Sequence, residues 1–243
     1  MLGVLLVHKP IGVTSHDVVD TIRRKFGTRR VGHAGTLDPL ATGLLIVAIG
    51  PATRFLQYLP LEPKVYEGTI QFGVETNTQD AEGEPTLQAE IPQDLRQRCE
   101  DALPGFLGLI QQLPPMFSAV KKDGKPLYVL ARQGEEIERQ PRTVHIGEYT
   151  LDWSRASNGT VPFTVECSGG TYVRTLANDL GRAVGCGAHL ASLVRTKVGK
   201  FELTEAINLH DLGVSDLIPL SEALIPMPMA TLNESQELHL RHG

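Results

Sequence analysis

Hydrophobic and polar positions divide the chain into short periodic segments. Residues 3–8 form a nearly unbroken apolar run, the pattern of a buried strand. From Thr14 the period changes. Val18, Val19, Ile22 and Phe26 recur at helical spacing, Thr14-Ser15 offers an N-cap, and Asp17 lies in the first turn, where the helix dipole favours an acid. Gly27 stops that helix. Residues 44–49 are wholly apolar and predict a core strand, and 65–72 alternate loosely as a second. Residues 92–103 predict a short helix with Leu95, Cys99, Ala102 and Leu103 inward. Lys122-Asp123-Gly124-Lys125 carries a hairpin turn signal, because Asp-Gly takes positive φ readily. Residues 160–167 predict a strand, and 172–184 a helix closed near Gly185. Strands and helices interleave without regular βαβ spacing, which predicts an α+β fold with a mixed or antiparallel sheet.

At 243 residues and 41% hydrophobic content the chain can bury one large core, or one large and one small. No run is long enough to span a bilayer, and Val4–Val7 is too short for a signal peptide. Cys99, Cys167 and Cys186 are odd in number and form no CxxC, which fits inert thiols in a reducing cytosol better than a disulfide framework or structural zinc. The net charge of −5 is unevenly spread. Residues 1–60 carry seven Lys or Arg against three acids, and 171–200 carry five against one, while the other stretches are acidic. Two explanations fit: one face that meets an anion, or ordinary solvated helix charge.

The stretch GHAGTLDPLATG, residues 32–43, holds three glycines and one carboxylate, Asp38, directly before the apolar strand. Its plain explanation is a turn, since Asp-Pro starts turns and Gly35 and Gly43 allow tight bends. A phosphate-cradling loop is excluded because no Gly-Lys-Ser/Thr is present and no helix follows. A metal site is disfavoured because His33 and Asp38 have no nearby ligand partners in sequence. A carboxylate beside apolar residues is costly unless a cation or hydrogen bonds hold it. Arg174, in Cys167-Ser-Gly-Gly-Thr-Tyr-Val-Arg174-Thr, is a candidate partner, because Arg stays charged and can grip a carboxylate with two hydrogen bonds. An acid held ionised in this way can be a nucleophile at an anomeric carbon or an anion stabiliser.

Six segments stand in order between residues 8 and 199: HKPIGVTS from His8, GHAGTLDPLATG from Gly32, KVY from Lys64, DAEG from Asp80, CSGGTYVRTL from Cys167 and LVRTKVG from Leu193. With these segments the chain resembles the TruB family of pseudouridine synthases, which act on uridine 55 of tRNA. The resemblance implies a pseudouridine synthase fold, α+β, with a mixed, mostly antiparallel central sheet flanked by helices. It implies a catalytic domain over 1–230 and an RNA-clamping, thumb-like arm at 113–145. Residues 231–243 would be a remnant at the start of a missing C-terminal PUA domain.

The resemblance also assigns roles. Asp38 matches the essential aspartate that assists cleavage of the glycosidic bond, with C5 then joined to C1′; an acylal and a glycal route both remain open. Tyr66 matches the tyrosine that stacks on the flipped base, and Arg174 the arginine paired with the aspartate. Tyr172 and Leu193 match the walls of the uracil pocket, and His33 the histidine that fills the space left by the extruded nucleotide. Lys9, Asp80 and Arg195 are expected as further substrate-side contacts, Lys9 more as a support of the loops. Such an isomerisation has no net redox and no group donor, so no cofactor and no metal are expected. The expected partner is the T-arm of tRNA, met by a cytoplasmic monomer with no membrane contact. Alternatives are a guide-RNA-dependent ribosomal enzyme, an RNA-folding module whose chemistry is secondary, and a sugar hydrolase. The last is disfavoured because no second acid is placed as a partner of Asp38.

Overall fold

The computed structural model of the chain describes residues 1–118, 121–122, 125–133, 137–228 and 230–242. Its strands, in chain order, are β1 (Gly3–Lys9), β2 (Val31–Ala34), β3 (Ala41–Ile49), β4 (Lys64–Phe72), β5 (Val74–Thr76), β6 (Pro85–Gln88), β7 (Gly108–Gln112), β8 (Lys121–Lys122), β9 (Lys125–Pro126), β10 (Arg142–Leu151), β11 (Thr160–Cys167), β12 (Ala188–Val198), β13 (Phe201–Glu202) and β14 (Ile207–Asn208). Its helices are α1 (Ser15–Phe26), α2 (Leu95–Ala102), α3 (Leu127–Arg132), α4 (Val173–Val184), α5 (Leu220–Ala223) and α6 (Glu234–His242).

A ten-stranded sheet runs β14-β1-β3-β12-β4-β11-β10-β7, with β2 added beside β3 and β13 beside β12. Only β1–β14 and β3–β12 pair in parallel; the other pairs are antiparallel. The fold is α+β with a mixed, mostly antiparallel sheet, as the sequence predicts. The apolar run of β3 is buried on both faces: Leu45, Val47 and Ile49 pack with Val18, Val19 and Ile22 of α1, while Leu44 and Ile46 pack with Leu59, Val198 and Phe201.

Local chemistry explains the helices that matter for the site. Thr14 caps α1 with a full capping box: its hydroxyl accepts from the Asp17 amide, and the Asp17 carboxylate accepts from the Thr14 amide. Gly27 ends α1 in the left-handed conformation. The face of α1 bearing Val18, Val19 and Ile22 packs with Leu5, Val7, Leu45 and Val47 of the sheet. Helix α4 lays Leu176, Ala177, Leu180 and Val184 on a second core cluster, which holds Ile70, Phe72, Val161, Phe163, Val165 and Leu190. Each such fully buried Leu or Val contributes about 1.5–3 kcal/mol. The Arg174 end of α4 is thereby anchored from below.

Eight strands escape the sequence pattern: β2, β5, β6, β7, β10, β12, β13 and β14. Residues 142–145, at the end of the expected polar arm, belong to β10, and Val144 is buried there. The expected hairpin at 122–125 falls partly outside the described residues: Asp123 and Gly124 are not described, and Lys121–Lys122 pair antiparallel with Lys125–Pro126 around them. The expected helix at 92–103 is shorter, with a 3-10 turn over Leu103–Phe106.

Candidate active site

Asp38 lies in the loop between β2 and β3, and the surrounding chain pins that loop residue by residue. Ser15, buried at the start of α1, accepts from the Leu37 amide at 2.9 Å and donates to the Leu37 carbonyl at 3.2 Å. The Pro39 carbonyl accepts from the Gly12 amide at 2.9 Å and from Lys9 Nζ at 3.4 Å. The Asp38 carbonyl closes its own turn by accepting from the Ala41 amide at 3.0 Å. Gly43 then enters the sheet at φ +103°, where a Cβ would stand 2.4 Å from the Arg195 carbonyl oxygen, so only glycine fits.

The carboxylate of Asp38 meets Arg174 Nη2 at 3.2 Å. Arg174, on the first turn of α4 and only 6% exposed in its side chain, holds Asp80 with Nη1 at 3.4 Å and donates from Nη2 to the Phe117 carbonyl at 2.7 Å. The pairing of Asp38 with Arg174 suggested by the sequence is therefore present in the fold, and Asp80 joins it. Asp80 cannot act as a proton-donating partner acid. Its Oδ1 is occupied by the Thr78 hydroxyl at 2.5 Å and the Glu82 amide at 3.1 Å, and its Oδ2 by Arg174.

Asp38 keeps 43% of its side chain open to solvent at the surface of the site. Protein nevertheless crowds it enough that burial raises its carboxyl above the ordinary aspartate value, with Arg174 opposing the rise. Tyr66 is buried on β4 and its phenol is pushed up by burial, an effect that the nearby Arg195 charge opposes. Tyr172 stands at the N-cap of α4, its ring 5.5 Å from the Arg142 guanidinium and 5.9 Å from that of Arg174. Leu193 on β12 registers with Ala41 at the end of the Asp38 loop and with Gly68 of β4.

Lys9 and Arg195 are 0% and 1% exposed. Lys9 Nζ donates to the Pro10 and Val13 carbonyls at 2.9 and 2.6 Å as well as to Pro39, and burial brings its ammonium down to about 8. Both cations face loops, not solvent. No sequence pattern points to Gln112, which is also buried. Its amide donates to the Tyr172 carbonyl at 3.0 Å and accepts from the Tyr172 amide at 2.8 Å, acting as a one-residue strand partner.

His33 stands apart from the ion-pair cluster, on β2 opposite Val47, with its Nδ1 buried and without a hydrogen-bond partner among the described residues. Burial lowers its pKa first, and the charges of Arg195 and His16 lower it further. The imidazole is thus mostly neutral at pH 7. Because the folded state resists the proton, stability falls as pH drops from about 6.5 through the lower folded value. An NMR titration of its ring protons should give a midpoint below 6.5, and a midpoint at or above that value would contradict this assignment.

The model of the TruB family pseudouridylate synthase N-terminal domain matches residues 23–173, and that of the tRNA pseudouridylate synthase B C-terminal domain matches 174–230. The chain belongs to the TruB family of pseudouridylate synthases. It is an isomerase of that class. The tRNA pseudouridine synthase B of Opitutus terrae is 48% identical over 228 residues, covering 94% of this chain and 94% of that protein. The protein of that name from Syntrophotalea carbinolica is 46% identical, covering 94% of this chain and 76% of its own length. A chain in the crystal structure of a Cbf5-Nop10-Gar1 complex aligns with a TM-score of 0.69 at 29% identity, over 91% of this chain and 61% of that chain. Among the described residues of the synthase no His, Cys, Asp and Glu cluster is arranged to hold a metal, and no helix is long and apolar enough to cross a membrane.

Proposed function

We propose that the synthase converts uridine 55 in the T-loop of tRNA to pseudouridine, with Asp38 as the group that attacks the ribose. The observation that carries this is the ion pair of Asp38 and Arg174, open to solvent at the carboxylate and buried at the guanidinium. The names of the relatives supply tRNA as the substrate class.

The nucleotide leaves the T-loop stack, at a cost of about a few kcal/mol, and its uracil enters the space beside Asp38. His33 takes its place in the stack, and Tyr66 stacks on the flipped ring. Tyr172 and Leu193 form the pocket walls. In the acylal route the Asp38 oxygen bonds to C1′ as the C1′–N1 bond breaks, and uracil leaves carrying the electron pair. Uracil turns, C5 bonds to C1′ as the Asp38–C1′ bond breaks, and the C5 proton leaves with the help of Tyr66. In the glycal route the carboxylate instead takes the C2′ proton as uracil departs, and returns it to C2′ as C5 bonds to C1′ and the C5 proton leaves. Both routes need Asp38 ionised. Asp80 holds the far side of Arg174, and Lys9 and Arg195 hold the loops.

Residues 1–230 act as one catalytic unit. The support is the sheet itself, in which β12, from the second matched segment, pairs with β3 and β4 of the first. The three cysteines are buried and unpaired, as suits the reducing cytoplasm. The arm expected at 113–145 is assigned the role of closing on the T-arm; Gln112, just before it, bonds Tyr172, and Phe117, within it, bonds Arg174, while its last residues, 142–145, belong to β10.

The test is tritium release from C5-labelled uridine in a T-arm stem-loop. Release at one uridine is the expected result. Tight binding of the same RNA without release would leave an RNA-folding module, and release only from ribosomal fragments would move the substrate class.

A further inference from the structure

Arg195 is the largest fully buried side chain, at the middle of the sheet. Its backbone registers with Gly43 of β3 on one side and with Tyr66 of β4 on the other. A cation so deep is expensive to desolvate and normally faces a carboxylate. Here the guanidinium turns to the main chain instead. Nε donates to the Leu44 carbonyl at 2.8 Å, and Nη2 donates to the Gly35 carbonyl at 3.0 Å. Gly35 and Leu44 lie just before and just after the loop that carries Asp38, so one planar fork ties the two ends of that loop together. At 1% exposure Arg195 has no surface to offer an RNA phosphate. The same charge lies close enough to the Tyr66 hydroxyl to ease its ionisation against the effect of burial.

We propose that Arg195 is a positioning residue that fixes the Asp38 loop and the Tyr66 hydroxyl relative to one another. This rests on the roles proposed for Asp38 and Tyr66. The geometry needs arginine in particular. Its two donors diverge in a rigid plane and reach both carbonyls at once, whereas a lysine ammonium is a point donor on a flexible stem. A loop released at one end by about 1 Å moves the carboxylate out of attacking range, and a misplacement of that size costs on the order of 10²-fold in rate.

The experiment is single-turnover tritium release by Arg195→Lys and Arg195→Gln, beside RNA binding and thermal melting of the same proteins. Both variants should lose about 10²-fold in the rate of the chemical step while RNA affinity stays within about twofold. Combining either with Tyr66→Phe should lower the rate less than the product of the two single losses, because both disturb one arrangement. A wild-type rate in both variants would overturn the assignment. So would a loss of affinity that matches the loss of rate, which would make Arg195 an RNA contact. Loss of binding and of cooperative melting in both would reduce it to a plain structural role. A silent wild type would instead sink the proposed function, so the two failures are told apart.

Discussion

Asp38→Asn lowers pseudouridine formation by about 10⁴-fold or more, with RNA affinity retained. Asparagine keeps the shape of the side chain and an oxygen that can accept from Arg174 Nη2, now 3.2 Å from the carboxylate. It has neither the charge nor the nucleophilic electron pair, and loss of a nucleophile costs on the order of 10⁴–10⁶ in kcat. Affinity should hold because Asp38 repels phosphate and does not bind it. Wild-type activity should also fall toward acid pH. In the proposed mechanism the reaction uses the ionised carboxylate, and burial raises this carboxyl above 3.8, so the rate drops as pH falls through that raised value. The stability sign is the reverse. The folded state holds the proton more tightly than the unfolded chain does, so the contribution of Asp38 to stability improves as pH falls from the raised folded value toward 3.8. At neutral pH the asparagine variant should melt no lower than the wild type. Measured kcat, RNA Kd and melting curves decide it: an active Asp38→Asn protein would remove Asp38 from the chemistry.

What the sequence made legible, and what it hid, follows from physical causes. The strands β1 and β3 announce themselves as unbroken apolar runs, and β4, β11, α1 and α4 by a repeating apolar spacing. Strand β10 does not, because a bulge between Ile146 and Glu148 shifts Tyr149 off the alternation begun by Val144 and Ile146. Strand β12 is broken twice, between Leu190 and Ser192 and between Arg195 and Lys197, and its middle holds an arginine that composition alone would place in water. The chemistry of the site was legible where two side chains meet as opposite charges, as at Asp38 and Arg174. The supports were not. Ser15, Gln112 and Arg195 act by hydrogen bonds to main-chain groups 22, 60 and 160 residues away, and a backbone partner leaves no mark in the sequence.

Arg174 carries the second large expectation, and its three contacts set the size. The guanidinium spans Asp38 at 3.2 Å, Asp80 at 3.4 Å and the Phe117 carbonyl at 2.7 Å, which only a planar fork can do at once. Arg174→Lys keeps the charge and loses the span. The expected result is a kcat lower by about 10²–10³-fold at nearly unchanged RNA affinity, the scale seen when one preorganised donor is removed. Arg174→Ala goes further. Asp80, 4% exposed in its side chain, is left buried without its cation, and removal of one partner of a buried pair costs about 3–5 kcal/mol, so this variant should melt well below the wild type. Asp38 also loses the largest influence that opposes its burial, so any remaining activity should show its acid limb at higher pH than in the wild type. The two variants separate charge from geometry. If Arg174→Lys retains the wild-type kcat, charge alone suffices. If both variants keep the wild-type acid limb, Asp38 owes its ionisation to another cation. Lys9 is the remaining positive group that acts on it, and Lys9→Met would then have to move the limb that Arg174 did not.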